Sequence, residues 1–123
     1  MRIRTSVVKL KRLVHDLGYV IRSANVDMCD VPTKTIKINP RHTPRHRVYL
    51  LAHELGHAKT LRKCAMKFGH ALADKSEKSY AVREAELLAW NYADGLMQQF
   101  GLYDKQYLKF KHSLLRLYYR SLG

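Results

Sequence analysis

The chain has 123 residues, of which 46% are hydrophobic, with 23 Lys plus Arg against 10 Asp plus Glu and a formal charge of +13. That length suits one ordinary domain, taken here as residues 1–123, with enough apolar material to bury a core without staples. No apolar run reaches membrane-spanning length and none follows Met1-Arg2-Ile3-Arg4, which argues against a membrane or secreted protein and for a cytoplasmic one.

In chain order, residues 5–17 read as a helix. Val7, Leu10, Leu13, Val14 and Leu17 recur at helical spacing, and Gly18 supplies the stop. Tyr19-Val20-Ile21-Arg22-Ser23 reads as a strand, and Thr35-Ile36-Lys37-Ile38-Asn39 alternates polar and apolar as a second. Asn25 to Pro32, between them, carries turn chemistry. Thr43 before Pro44 forms an N-cap with proline in the first turn, opening a helix through Val48, Leu51, Ala52 and Leu55 to about Leu61. A mixed basic segment follows, with Gly69 and a charged stretch from Asp74 to Lys78. Residues 79–99 form the strongest helical pattern, its core face centred near Ala85, Ala89, Tyr92 and Leu96, and Gly101 ends it. A last helix covers about 104–121. The fold class is α+β: a small sheet of two or three strands packed by several helices, with the helix from Pro44 central.

That central helix carries the chemistry. His53 and His57 are four positions apart, so their imidazoles leave the same face one turn apart and can share one tetrahedral zinc. Glu54 stands on the rim of that face, placed to take a proton from water and return it to a leaving amine. Gly56 costs about 1 kcal/mol in a helix interior; it makes sense if something approaches that face closely. A catalytic zinc needs a third protein ligand, and downstream the candidates are His70, Glu84 and Glu86. Cys29 and Cys64 stand alone, outside any CxxC pair and at no ligand spacing from the histidines, and read as buried free thiols.

His53-Glu54-Leu55-Gly56-His57, preceded by Val48-Tyr49-Leu50-Leu51-Ala52, resembles the core of the ImmA/IrrE-type zinc metallopeptidases, gluzincin-like enzymes of bacteria and phages. The resemblance is strongest over residues 34–98. It implies a zincin-like fold, one Zn2+ per chain and a third ligand from a glutamate on a later helix. That later helix follows the pattern Glu-x-x-Ala-x-x-aromatic-Ala-x-x-Leu-apolar, which Glu86, Ala89, Tyr92, Ala93, Leu96 and Met97 satisfy. Helical geometry agrees: Glu86 lies at one edge of the core face, on the flank with Trp90, Ala93 and Met97, while Glu84 lies on the opposite flank near Asn91 and Gly95. The family often carries a proline soon after this pattern and a helix-turn-helix domain; here Gln98-Gln99-Phe100-Gly101 follows and no such domain fits. Phe68-Gly69-His70-Ala71 offers a competing third ligand, at a distance similar to that in SprT/Spartan-like, DNA-associated proteases.

The expected function is therefore a zinc-dependent endopeptidase acting on a specific protein, such as a repressor or other regulatory factor. Tyr49, His70 and Tyr80 are candidate oxyanion donors. The charge adds a second theme. Lys105, Lys109, His112, Arg116 and Arg120 make one face of the last helix, opposite Tyr107, Phe110, Leu114, Leu117 and Tyr118. Such a stripe is most often a solvated surface. Its functional reading, shared with Arg41, His42, Arg45, His46 and Arg47 ahead of the metal helix, is an anion-binding edge for an acidic protein or nucleic acid, although no nucleic-acid-binding motif is present. The alternative function is thus a basic binding module on a zincin scaffold.

Overall fold

The computed structural model describes residues 2–68 and 75–122, with side chains described over 2–60 and 83–116. Its elements are α1 (Ile3–Asp16), β1 (Val20–Ser23), β2 (Met28–Asp30), β3 (Thr35–Ile38), α2 (Pro44–Phe68), α3 (Lys75–Phe100) and α4 (Lys105–Leu122).

α1 buries Ser6, Leu10 and Val14, and packs Val7, Leu13 and Leu17 at the edge of the core. It stops because Gly18 adopts φ +80°, which lets the Gly18 N–H reach the His15 carbonyl (2.9 Å) and the Tyr19 N–H reach that of Val14 (3.1 Å). The chain then enters β1. The sheet has the order β1-β3-β2, with β1 parallel and β2 antiparallel to β3. Two of its strands match the sequence expectation. β2 falls inside Asn25 to Pro32, where turn chemistry alone was expected. With three residues and no alternation of apolar side chains, it is held by backbone pairing to β3 and by a turn in which Lys34 N–H meets the Val31 carbonyl.

α2 is capped as its sequence implies, the His46 N–H donating to Thr43 Oγ1 at 3.2 Å with Pro44 in the first turn. Every residue from Val48 to Ala58 is buried, not merely one stripe, because α2 packs against α1, α3, β2 and β3 together. It also runs on to Phe68, through the basic segment expected to follow it.

α3 buries Ala85, Ala89 and Leu96 of the expected face, with Tyr92 half-buried at its edge. Trp90, Ala93 and Met97 are almost wholly buried as well, so the core face extends toward the flank that carries Glu86. The cause is size: Ala85, Ala89 and Ala93 let the α3 backbone come close to α2, and Trp90 fills the space beside that contact. Gly101 (φ +70°) ends α3 as Gly18 ends α1. Asp104 caps α4 by accepting the Tyr107 N–H at 3.0 Å. α4 is tied down by Asp94 of α3, which accepts the Tyr107 hydroxyl (2.6 Å) and the Lys111 ammonium (2.8 Å). Among the described residues no helix is long and apolar enough to cross a membrane.

Candidate metal centre

His53, Glu54 and His57 lie on the buried half of α2, each less than a tenth exposed. Ionisable groups taken out of water this far need partners, and one residue of α3 supplies them. His53 Nε2 donates to Glu86 Oε2 at 2.9 Å, and His57 Nε2 donates to Glu86 Oε1 at 2.7 Å. Burial alone would push the Glu86 carboxyl up. The hydrogen bonds and charge from His53 and His57 outweigh it and bring the pKa down to about 2. Burial likewise disfavours the charged form of His53, but Glu54 and Glu86 outweigh it and raise its pKa to about 9.

The His53 and His57 ring centroids are 4.6 Å apart, and His53 stacks on Trp90 at 4.3 Å with an 18° interplanar angle. One ligand atom from each of His53, His57 and Glu86 lies within 4.8 Å of the others, a set able to hold a metal ion. Its chemistry, two imidazole nitrogens and a carboxylate oxygen, suits zinc at a catalytic site with a fourth position open. The Nδ1 atoms of both histidines are buried without a hydrogen-bond partner among the described residues, although Glu54 Oε1 comes within 3.3 Å of His53 Nδ1. Glu86 and packing therefore hold both rings, and Trp90 adds a stacking contact to that of His53.

A family model for the peptidase M78, IrrE N-terminal-like domain matches residues 11–99. The chain belongs to this family. No curated protein and no solved structure matches it. The IrrE-like match starts inside α1 and ends with α3, so it is longer at its start than the span of residues 34–98 expected from the motifs, and it leaves out the basic helix α4. Its members are peptidases by name, and the match contains His53, Glu54, His57 and Glu86.

Two cavities flank the cluster. One, about 290 Å3, is lined by Met28 and Cys29 of β2 with Glu54, His57 and Glu86; the other, about 260 Å3, by Leu50, His53, Glu54, Glu86, Trp90 and Leu114. Asp27 also lines both. Sequence reading missed Asp27, whose carboxylate accepts the Asn39 N–H (2.7 Å) and pairs with His42 Nε2 (2.8 Å), fixing the rim beside Glu54. Cys29 is half-buried and lines the first of these cavities but is no member of the donor group; burial first, then the charges of Glu54 and Asp30, push its thiol up to about 12.

The remaining candidates fall elsewhere. Glu84, also half-buried, is outside the donor group. His70 and Tyr80 lie outside the described side chains, as do Leu117, Tyr118 and Arg120 of the last helix. Tyr49 lines neither cavity: it is fully buried against Tyr107 and Phe110, and its hydroxyl accepts from Arg45 (3.3 Å). That placement removes it as an oxyanion donor. Arg45 faces Asp104 at 3.6 Å as well, so its guanidinium joins the start of α2 to the start of α4. Lys105, Lys109, His112 and Arg116 are exposed on α4, and Arg47 lines a separate groove.

Proposed function

We propose that the chain is a zinc-dependent endopeptidase that cuts a specific regulatory protein, such as a repressor. The observation that carries this is the convergence of His53 Nε2 and His57 Nε2 on the two oxygens of Glu86, with Glu54 lining the cavities on both sides of the cluster. His53, His57 and Glu86 would hold the ion. Zinc supplies Lewis acidity there, making water a nucleophile at neutral pH and polarising a carbonyl.

The chain's own residues do the rest. An extended peptide would cross Glu54 between β2 on one side and Leu114 of α4 on the other. Glu54 takes the proton from the attacking water and delivers it to the amine nitrogen as the peptide bond breaks. Trp90 holds the plane of the His53 ring, and Asp27 keeps the rim of the cleft in place through Asn39 and His42.

Metal analysis and product mapping together test the reading. The purified protein should carry about one zinc per chain, lost in His53→Ala. Glu54→Gln should keep the zinc and abolish the new protein N-termini that the wild-type chain creates in a cell lysate. Unchanged cleavage by Glu54→Gln sinks the peptidase reading and leaves a metal-binding protein that acts by association.

A further inference from the structure

A third cavity, about 370 Å3, opens between α1, the start of α2 and the ends of β1 and β3. It shares no lining residue with the two cavities at the metal cluster. Because the strands run β1-β3-β2, it lies toward the β1 side of the sheet, whereas the metal cavity lies against β2.

Its floor is aliphatic, made by Val7, Ile21, Ile38 and Leu51. Two cations from packed helices stand over that floor: Lys11 of α1, exposed, and Arg47 of α2, half-buried. Arg22 also borders the cavity, but alternation along β1 puts Ile21 and Ser23 on the inner face and the Arg22 side chain on the other. No carboxylate lines the cavity, and neither Lys11 nor Arg47 forms an ion pair with a described carboxylate. The described acids nearest in sequence lie beside other groups, Asp16 next to His15 (3.9 Å) and Glu54 next to His53 (3.3 Å), and Asp27 and Asp104 pair with His42 and Arg45.

Unneutralised cations above an apolar floor fit a ligand that is apolar in the middle and anionic at its edges. A nucleic acid fits poorly: no aromatic ring lines the cavity to stack a base, and two cations do not make a track for a phosphate backbone. We infer that this groove docks an acidic segment of a partner protein, an aliphatic side chain resting on Val7, Ile21, Ile38 and Leu51 while flanking carboxylates reach Lys11 and Arg47. The volume lies within the range of pockets that bury most of a small ligand, roughly 300–1,000 Å3. Docking here needs no hydrolysis and is independent of what the metal cluster does.

The test is fluorescence anisotropy on the full chain carrying Glu54→Gln, so that no probe is cut. The probe is a short fluorescein-labelled peptide with a central leucine flanked by glutamates. Lys11→Glu with Arg47→Glu should weaken its binding roughly tenfold or more. Ser23→Trp, which crowds the groove without altering charge, should weaken it comparably. Lys105→Glu with Lys109→Glu makes the same change in net charge on the exposed face of α4 and should leave affinity near its starting value. Replacing the probe's glutamates by glutamines, or its leucine by serine, should each abolish most of the binding.

The inference is overturned if the α4 pair weakens binding as much as the groove pair, because attraction to the overall charge then explains it. Equal binding of the glutamine peptide overturns it as well. Labelled oligothymidylate bound through Lys11 and Arg47 would assign the groove to nucleic acid instead. None of these results bears on zinc content or on Glu54, so failure here leaves the peptidase reading where it stands.

Discussion

A Cβ placed on Gly56 would stand 2.5 Å from the carbonyl oxygen of Ala89 and 2.9 Å from its Cα, so α2 and α3 meet backbone to backbone at this pair. Gly56 precedes His57 directly, and Ala89 lies one turn beyond Glu86 on its helix. The same contact that packs the two helices therefore sets the reach of the third donor. Gly56→Ala should gain about 1 kcal/mol of helix propensity and lose more to overpacking, typically about 1–3 kcal/mol. Urea unfolding of the metal-free variant should show a net loss, and a competition titration should show weaker zinc binding. A more stable variant with unchanged affinity would mean the helices have room to part without cost.

Glu86 and Glu84 can be separated directly. Glu86→Gln should lower zinc affinity by more than roughly 100-fold, the upper end of the loss when only a residue supporting a ligand is removed. Glu84→Gln should leave it close to wild type. Isothermal titration with circular dichroism as a fold control reads both, and the reverse order would move the third ligand one turn-edge away from Glu86.

The metal-free protein should have a stability optimum set by the same cluster. His53 is raised from 6.5 to about 9, so its contribution is complete below pH 6.5 and is lost as pH rises through 9. Glu86 is lowered from 4.5 to about 2, so its contribution is complete above pH 4.5 and is lost as pH falls through 2. Thermal melts should peak between those unfolded-state values, from 4.5 to 6.5. His53→Gln should remove the alkaline loss attributed to that ring. A flat profile over the alkaline limb in the wild type would contradict the pairing.

Trp90 is the single tryptophan of the chain, and it stacks on a candidate ligand. Zinc bound by the cluster near neutral pH would displace the proton from His53, and protonated histidine quenches an adjacent indole. Trp90 emission should rise with the same midpoint as the calorimetric titration. His53→Ala should abolish the response; a response that persists would place the ion away from this ring.

Much of the site was legible because its chemistry is local. The i, i+4 spacing of His53 and His57 fixes their common face, and Gly56 in a helix interior implies a close neighbour, the place that Ala89 fills. The position of Glu86 was legible as register on α3. The stacking of Trp90 on His53 was not: it depends on three alanines meeting a glycine on another helix, which no single-helix pattern encodes. β2 escaped for a related reason, since three residues paired through their backbones leave no side-chain alternation to read. Asp27 was hidden because its role comes from where β2 runs, beside Glu54, and from partners at Asn39 and His42. Tyr49 looked available as an oxyanion donor, but it is buried against Tyr107, and its hydroxyl accepts from Arg45, whose side chain stays partly exposed.

His53 and Glu86 are 33 positions apart in the chain, and α2 and α3 have no covalent tie between them. An ion shared by the two would close that stretch into a ring, much as a cystine does. On a loop-entropy estimate, a closure of this size removes roughly 3–4 kcal/mol of freedom from the unfolded chain. Chelation would then do more than stop turnover: it would cut a staple, and limited proteolysis between the two helices should quicken when the metal is withdrawn.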